Sequence, residues 1–259
     1  MPRGIALHFS HVFDGTIWNI KVSDQDSIMV LEVRNHARHE VRFSALNYQT
    51  NAFLWRDKVL DDPWWIYLTG ISGRIALFTY YTDSNNPDKK ATIAYHLPDA
   101  RMAWWNNDFS IHTISREFVA GYAEKFGKRE LVLNIQNGHV MEHVKPDLNN
   151  SETVVRPHHY PADHPYFATV KRFLNQKFNL LPTAALEYLE HDSLIFISCY
   201  LHEKELANYL YIISPDGELL LQEKLAEHLK GIGLDTFFIL SGCVFFVRNK
   251  GELVSYKIL

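Results

Sequence analysis

The chain is short of cysteine, of net charge and of long apolar runs, and each shortage removes a class of explanation. Its 259 residues include two cysteines, Cys199 and Cys243, each inside an apolar run. With no Cys-x-x-Cys there is no zinc-ribbon or dithiol spacing, and buried free thiols are the expectation. No apolar run reaches the ~18 residues of a membrane-crossing helix. The opening Met1-Pro2-Arg3-Gly4-Ile5-Ala6-Leu7-His8 lacks the apolar core of a signal peptide. A cytoplasmic protein without membrane contact is therefore expected. The formal net charge is −4, and pairs such as Lys89-Lys90 and Lys128-Arg129 are too short for a basic stripe, so no nucleic-acid partner is expected. Gly-x-Ser-x-Gly, Gly-x-x-x-x-Gly-Lys-Ser/Thr and Gly-x-Gly-x-x-Gly are all missing, which removes the nucleophile elbow, the phosphate loop and the dinucleotide fingerprint.

What is abundant points to strands. Hydrophobic residues make up 47% and aromatics 14%, rich in Val, Ile, Tyr and Phe. Short alternating runs follow one another with Gly, Asn, Asp or Pro between them. They group in fours, A to D. The clearest set is Trp65–Ile71, Arg74–Thr82, Ala91–Leu97 and Arg101–Trp105. The same beats fall at Ile17–Val22, Ile28–Arg34, Val41–Leu46 and Phe53–Trp55, then at Ser110–Ser115, Glu117–Glu124, Glu130–Ile135 and His139–Val144. A fourth set is Ala185–Glu190, Leu194–Leu201, Tyr209–Ser214 and Leu219–Lys224. The last has three members, Asp235–Leu240, Cys243–Arg248 and Glu252–Ile258. The run Ile5–Phe13 belongs to no other set and is the natural fourth strand. Radial repetition with both termini joined in one sheet protects edges. The expected fold is all-β: a five-bladed β-propeller of four-stranded antiparallel blades, one domain over 1–259, closed by the N-terminal strand.

The C–D turns repeat most plainly, as Gln49-Thr50-Asn51, Pro98-Asp99-Ala100, Gln136-Asn137-Gly138 and Pro215-Asp216-Gly217. Asn-Gly and Asp-Gly supply positive φ for tight hairpins. With the strands around them, Ala45-Leu46-Asn47…Leu54-Trp55 and Ile93-Ala94-Tyr95…Ala103-Trp104 resemble the quinoprotein-type propeller repeat. Later copies carry Glu142 or Leu221 where Trp would stand. The whole chain is also similar to a bacterial family of about 250 residues known as a domain of unknown function. Neither resemblance implies a catalytic residue. Cofactor-binding quinoproteins are much larger and their ligand set has no counterpart here, so no cofactor is expected.

An insertion at 145–183 separates the third and fourth sets. It reads as a loop, then a helix from Asp163 onward with Phe167, Val170, Leu174 and Phe178 at helical steps, Asp163 as N-cap and Pro165 in the first turn. The A–B and C–D turns are short. The B–C and D–A connections and the insertion are longer, so binding is expected on their face, near a central funnel.

Arg156-Pro157-His158-His159-Tyr160-Pro161-Ala162-Asp163-His164 is the sharpest chemical cluster. His158, His159 and His164 are candidate metal ligands, with Arg156 and Tyr160 as further ligand-binding candidates. The pairs Trp64-Trp65 and Trp104-Trp105 place one indole on each side of a strand. Trp64 and Trp104 are candidate stacking platforms for a sugar or a base, against the plainer reading that they pack between blades. Asp24, Asp26, Asp57, Asp61 and Asp62 are acidic candidates for glycoside hydrolysis, although turn chemistry accounts for Asp61-Asp62-Pro63. With no catalytic constellation and one loop-rich face, the leading expectation is a non-enzymatic module binding an unidentified protein or small molecule. The alternative is a metal-dependent or glycoside hydrolase working in the funnel.

Overall fold

The computed structural model describes residues 4–23, 25–60, 64–83, 85–125, 127–142, 154–202 and 204–259. Among these residues the fold is all-β with one helix, built from five antiparallel sheets. The chain divides into two units, Met1–Phe13 with Glu152–Leu259, and Asp14–Ser151. Strand β1 (Ile5–Val12) belongs to the first of these.

In Asp14–Ser151 the first sheet is β2 (Thr16–Ser23), β3 (Ile28–Asn35), β4 (Glu40–Asn47) and β5 (Ala52–Lys58), in that order. The second is β6 (Ile66–Ser72), β7 (Ile75–Tyr81), β8 (Lys90–His96) and β9 (Met102–Asn106). The third is β10 (Ser110–Ile114), β11 (Phe118–Ala123) and β12 (Arg129–Asn134). The middle strands bury both faces, which is why β3 and β7 read as continuous apolar runs instead of alternating. Val30, Phe43, Leu68 and Phe78 join the first two sheets, with Phe43 edge-on to Phe78 at 4.7 Å. Leu77, Ala94, Trp104, Phe109 and Leu133 join the next two. Each such side chain contributes ~1.5–3 kcal/mol by leaving water.

The repeated turn acts on this packing. Asn51, Ala100 and Gly138 hold equivalent positions, with φ of 60°, 51° and 72°. The side chains of Asn47 and Asn134 accept the turn's N–H groups at 2.9–3.3 Å. A tryptophan on the fourth strand then reaches the neighbouring sheet. Trp55 Nε1 donates to Leu97 O at 2.6 Å, and Trp104 Nε1 to Ile135 O at 2.7 Å. The predicted fourth strand of the third sheet does not form as read. Val140 makes one bridge to Leu133 and Met141 N donates to Val132 O at 2.8 Å, while His143 and Val144 lie outside the described residues. Glu142 stands where the docking tryptophan would be, so this segment lacks that anchor.

In the other unit β13 (His158–Pro161) is followed by α1 (Pro165–Phe178), β14 (Thr183–His191), β15 (Leu194–His202), β16 (Leu206–Ile213) and β17 (Leu219–Leu229). The sheet order is β13-β14-β15-β16-β17. The last sheet joins β1 to β18 (Phe237–Leu240), β19 (Cys243–Arg248) and β20 (Glu252–Ile258), in the order β1-β20-β19-β18. Strand β1 pairs antiparallel with β20 from Ile5↔Ile258 to Val12↔Glu252, as the missing fourth strand predicts. Phe9 anchors it, buried 6.1 Å from Phe245.

The insertion differs from expectation in two ways. Part of the predicted loop is strand β13, on the edge of β14. The helix N-cap is His164 rather than Asp163, its Nδ1 accepting from Tyr166 N at 3.2 Å. The imidazole is held for that task by stacking on Tyr160 at 4.7 Å. Pro165 occupies the first turn, and Asn179 closes the helix at φ 56°. Phe167, Val170 and Leu174 pack against Leu186, Ile197 and Tyr209.

Candidate functional site

Five of the seven predicted site residues lie on the insertion, and the structure does not bring its histidines together. His158 and His159 are neighbours in β13 and so point to opposite faces, while His164 is spent as the helix cap. Among the described residues no group of three His, Cys, Asp or Glu is placed to hold a metal ion. His159 stands opposite Glu187 in the β13–β14 register, and its Nδ1 is buried without a hydrogen-bond partner. Tyr160 also packs near Tyr166 at 5.5 Å and Tyr188 at 6.4 Å. Burial and the adjacent Glu190 carboxylate push the Tyr188 phenol well above its usual range.

The segment carrying these residues lies along two strand edges. Val155 exchanges both backbone hydrogen bonds with Ile239 of β18, at 2.9 and 2.8 Å, and three residues later the chain pairs with β14. Val154–Pro161 thus occupies the first-strand edge of two successive sheets. Arg156, between the two pairings, reaches Asp235 at 3.5 Å.

Glu187 is the residue that reading the sequence missed here. It is 2% exposed, and its carboxylate accepts from Asp235 N (2.6 Å), Thr236 N (2.9 Å) and Thr236 Oγ1 (2.5 Å). Thr236 Oγ1 lies 2.7 Å from Ser198 Oγ, which lies 3.0 Å from Asn208 Nδ2. Glu32 is built the same way in Asp14–Ser151. Fully buried on β3, it accepts from Leu68 N at 2.8 Å and Arg34 Nε at 2.7 Å. Burial raises its pKa against the opposing pull of Leu68 N–H and Arg34. Both carboxylates tie one sheet to the start of the next. An acid within an apolar run (Leu31-Glu32-Val33, Leu186-Glu187-Tyr188) is the signal that could have found them.

The second cluster stands at the predicted loop-rich end of the first two sheets of Asp14–Ser151. Arg34 donates to Trp64 O (3.2 Å) and Ile66 O (2.8 Å), with its guanidinium 5.2 Å from the Trp64 ring and 6.0 Å from that of Trp18. His39 stacks on Trp64 at 4.2 Å, and His36 lies edge-on between Trp64 (5.3 Å) and Trp18 (6.3 Å). Trp18 owes its display to a β-bulge. Ile17 pairs with Val33 and Asn19 with Glu32, so Trp18 is the extra residue, 62% exposed. The structure therefore puts Trp64 in a supporting position and Trp18 in the exposed one. Trp104 is buried in the sheet-to-sheet contact described above, the plainer of its two readings. Of the acidic candidates, Asp57 pairs with Arg56 at 3.3 Å, and Asp24, Asp61 and Asp62 lie outside the described residues.

Fold and sites together define an all-β protein of sequentially arranged antiparallel sheets. The sequence profile of a domain of unknown function, DUF4905, matches residues 22–104. No curated protein matches the chain. Among solved structures it is similar to BamB from Moraxella catarrhalis, at 12% identity and a TM-score of 0.38, covering 98% of this chain and 88% of that one. It is similar to a DUF4221 member from Bacteroides vulgatus at 8% identity and a TM-score of 0.39, covering 100% and 98%. It is also similar to the β-propeller domain of the trilobed protease from Pyrococcus furiosus, at 11% identity and 0.35, covering 91% and 64%. Among the described residues no helix is long and apolar enough to cross a membrane.

Proposed function

We propose that the chain is a single five-bladed β-propeller with quinoprotein-like repeats, acting as a non-enzymatic binding module through the face that carries its long connections. The blade count rests on five sheets in chain order, the last completed by β1. In such a ring β14 and β18 would be the first strands of their blades, and Val154–Pro161 runs along the free edge of both. The main support for binding is the Trp18–Arg34–His36–His39–Trp64 cluster: rings gathered at one end of the first two sheets, with Trp18, His36 and His39 exposed and Arg34 bonded to the buried Glu32. Affinity capture from the source cells with wild-type chain and with Trp18→Ala/His36→Ala tests this. A molecule retained by the wild type and lost from the variant is expected, with no turnover of ester or glycoside substrates. Turnover that disappears in Glu187→Gln would overturn the reading in favour of a hydrolase.

A further inference from the structure

Resting on that reading, we infer that the Trp18 cluster binds a neutral carbohydrate. The Trp18 indole stacks on the apolar face of a pyranose ring, and the imidazoles of His36 and His39 hydrogen-bond its hydroxyls.

Three observations lead there. The first is presentation. Trp18 is pushed out of the strand alternation by its bulge, while its neighbour Asn19 and Arg34 of the cluster stay tied down. Asn19, the next residue, donates to Leu68 O at 2.8 Å, and each nitrogen of Arg34 donates once, to Glu32, Trp64 O and Ile66 O. A ring on so fixed a base loses little freedom when it stacks on a ligand.

The second is charge. Among the described residues, three arginines at this end of the sheets are paired with carboxylates. Arg34 has Glu32 at 2.7 Å, Arg38 has Asp14 and Glu40, and Arg42 has Glu40 at 2.9 Å. A phosphate or carboxylate ligand would have to displace these partners. A single-stranded nucleic acid, which also stacks on indoles, would need a row of unspent cations along its backbone, where β2 offers the one lysine Lys21. A neutral, hydroxyl-rich ligand needs neither.

The third is the kind of polar group on offer. His36 and His39 are exposed and flank the two tryptophans. A neutral imidazole carries one donor and one acceptor, and a hydroxyl can answer both. Trp105, also 62% exposed but on β9, provides an internal comparison.

The test is calorimetric titration of the full chain with neutral oligosaccharides of glucose, mannose, galactose and N-acetylglucosamine, beside poly-U RNA and an anionic pectin fragment. At least one neutral glycan is expected to bind. Trp18→Ala should weaken it by about three- to tenfold or abolish it, Trp18→Tyr should keep most of it, and Trp105→Ala should change nothing. An unchanged urea midpoint shows that the variants fold. The inference is overturned if no neutral glycan binds at millimolar concentration, if Trp18→Ala binds as well as the wild type, or if RNA or pectin alone binds through Trp18. A captured partner that is lost in Trp18→Ala/His36→Ala but contains no glycan would sink the carbohydrate assignment and leave the binding-module reading standing. Capture of nothing would remove the latter.

Discussion

Gly138 and Trp104 form a lock whose strength can be worked out. Gly138 sits at φ 72°, and a Cβ there would lie 2.7 Å from Trp104 Cδ2 and 2.9 Å from Cγ. The indole cannot give way, because Nε1 is bonded to Ile135 O at 2.7 Å and the ring is packed among Leu77, Val119 and Leu133. In Gly138→Ala the left-handed backbone costs ~1–2 kcal/mol, and forcing the ring aside adds ~1–3 kcal/mol. Trp104→Ala should cost ~3–5 kcal/mol through lost burial and the space left behind. Trp104→Phe should cost ~1–3 kcal/mol, since a smaller ring remains and the Ile135 carbonyl loses its donor. In the double variant the clash disappears and only the backbone part of Gly138→Ala survives, so the two changes should be sub-additive by ~1–3 kcal/mol. Urea midpoints and slopes of the wild type, Gly138→Ala, Trp104→Ala and the double variant of these two measure this, with hydrogen exchange of β9 and β12 amides identifying the transition. If the costs add to within about 0.5 kcal/mol, the turn and the indole are independent and the lock does not exist.

Glu187→Ala strands two backbone N–H groups and a hydroxyl and should cost ~2–4 kcal/mol, with Glu187→Gln in between, read by the same denaturation. The Arg248 guanidinium, helped by the Ser10 hydroxyl, holds Glu252 down from 4.5 to about 2. Its stabilisation is therefore complete above the unfolded value and lost as pH falls from 4.5 toward 2. The full shift corresponds to ~3 kcal/mol and partial exposure leaves ~1–2 kcal/mol, so Glu252→Gln should flatten stability across that window. Burial pushes the Cys199 thiol up to about 12, so a thiol reagent should label Cys199 only on unfolding; rapid labelling of native protein there would contradict the packing of β15. Phe9→Ala should cost ~3–5 kcal/mol and speed hydrogen exchange along β20, where β1 pairs; unchanged exchange would mean that β1 does not hold that sheet's edge.

The order of strands was legible because it follows from periodicity and turn chemistry, both local. The role of β1 could be inferred from a count: the last group lacked a member and the first run lacked a group. The strand β13 could not be read, because His158-His159-Tyr160-Pro161 carries two ring-locking prolines around it and no alternation. It is extended because β14 presents an edge with backbone groups to satisfy, a demand set by a partner rather than by its own letters. The failure at His139–Val144 is the converse, a segment placed by the beat of the repeat but lacking the tryptophan that anchors the first two copies. Trp18 was visible as a tryptophan, but its display depends on a one-residue register slip that no periodicity contains.

The two buried glutamates bear on the choice between enzyme and binder. A general acid or base needs a lone pair or proton facing the substrate. Glu187 has three donors at 2.5–2.9 Å, and Glu32 has a backbone N–H and a guanidinium at 2.7–2.8 Å. Rotating either toward a ligand would leave those donors buried and unpaired, at ~1–3 kcal/mol for each. For either to act as a general acid or base, that cost would be added to the barrier of the step it serves. The bonds of Glu32 fix β3 and the start of β6, next to which His36 and Trp64 stand. On the binding-module proposal, Glu32→Gln should loosen the Trp18 cluster, read as faster hydrogen exchange at the end of β3, while creating no hydrolase activity; unchanged exchange there would show that Glu32 does not brace the cluster.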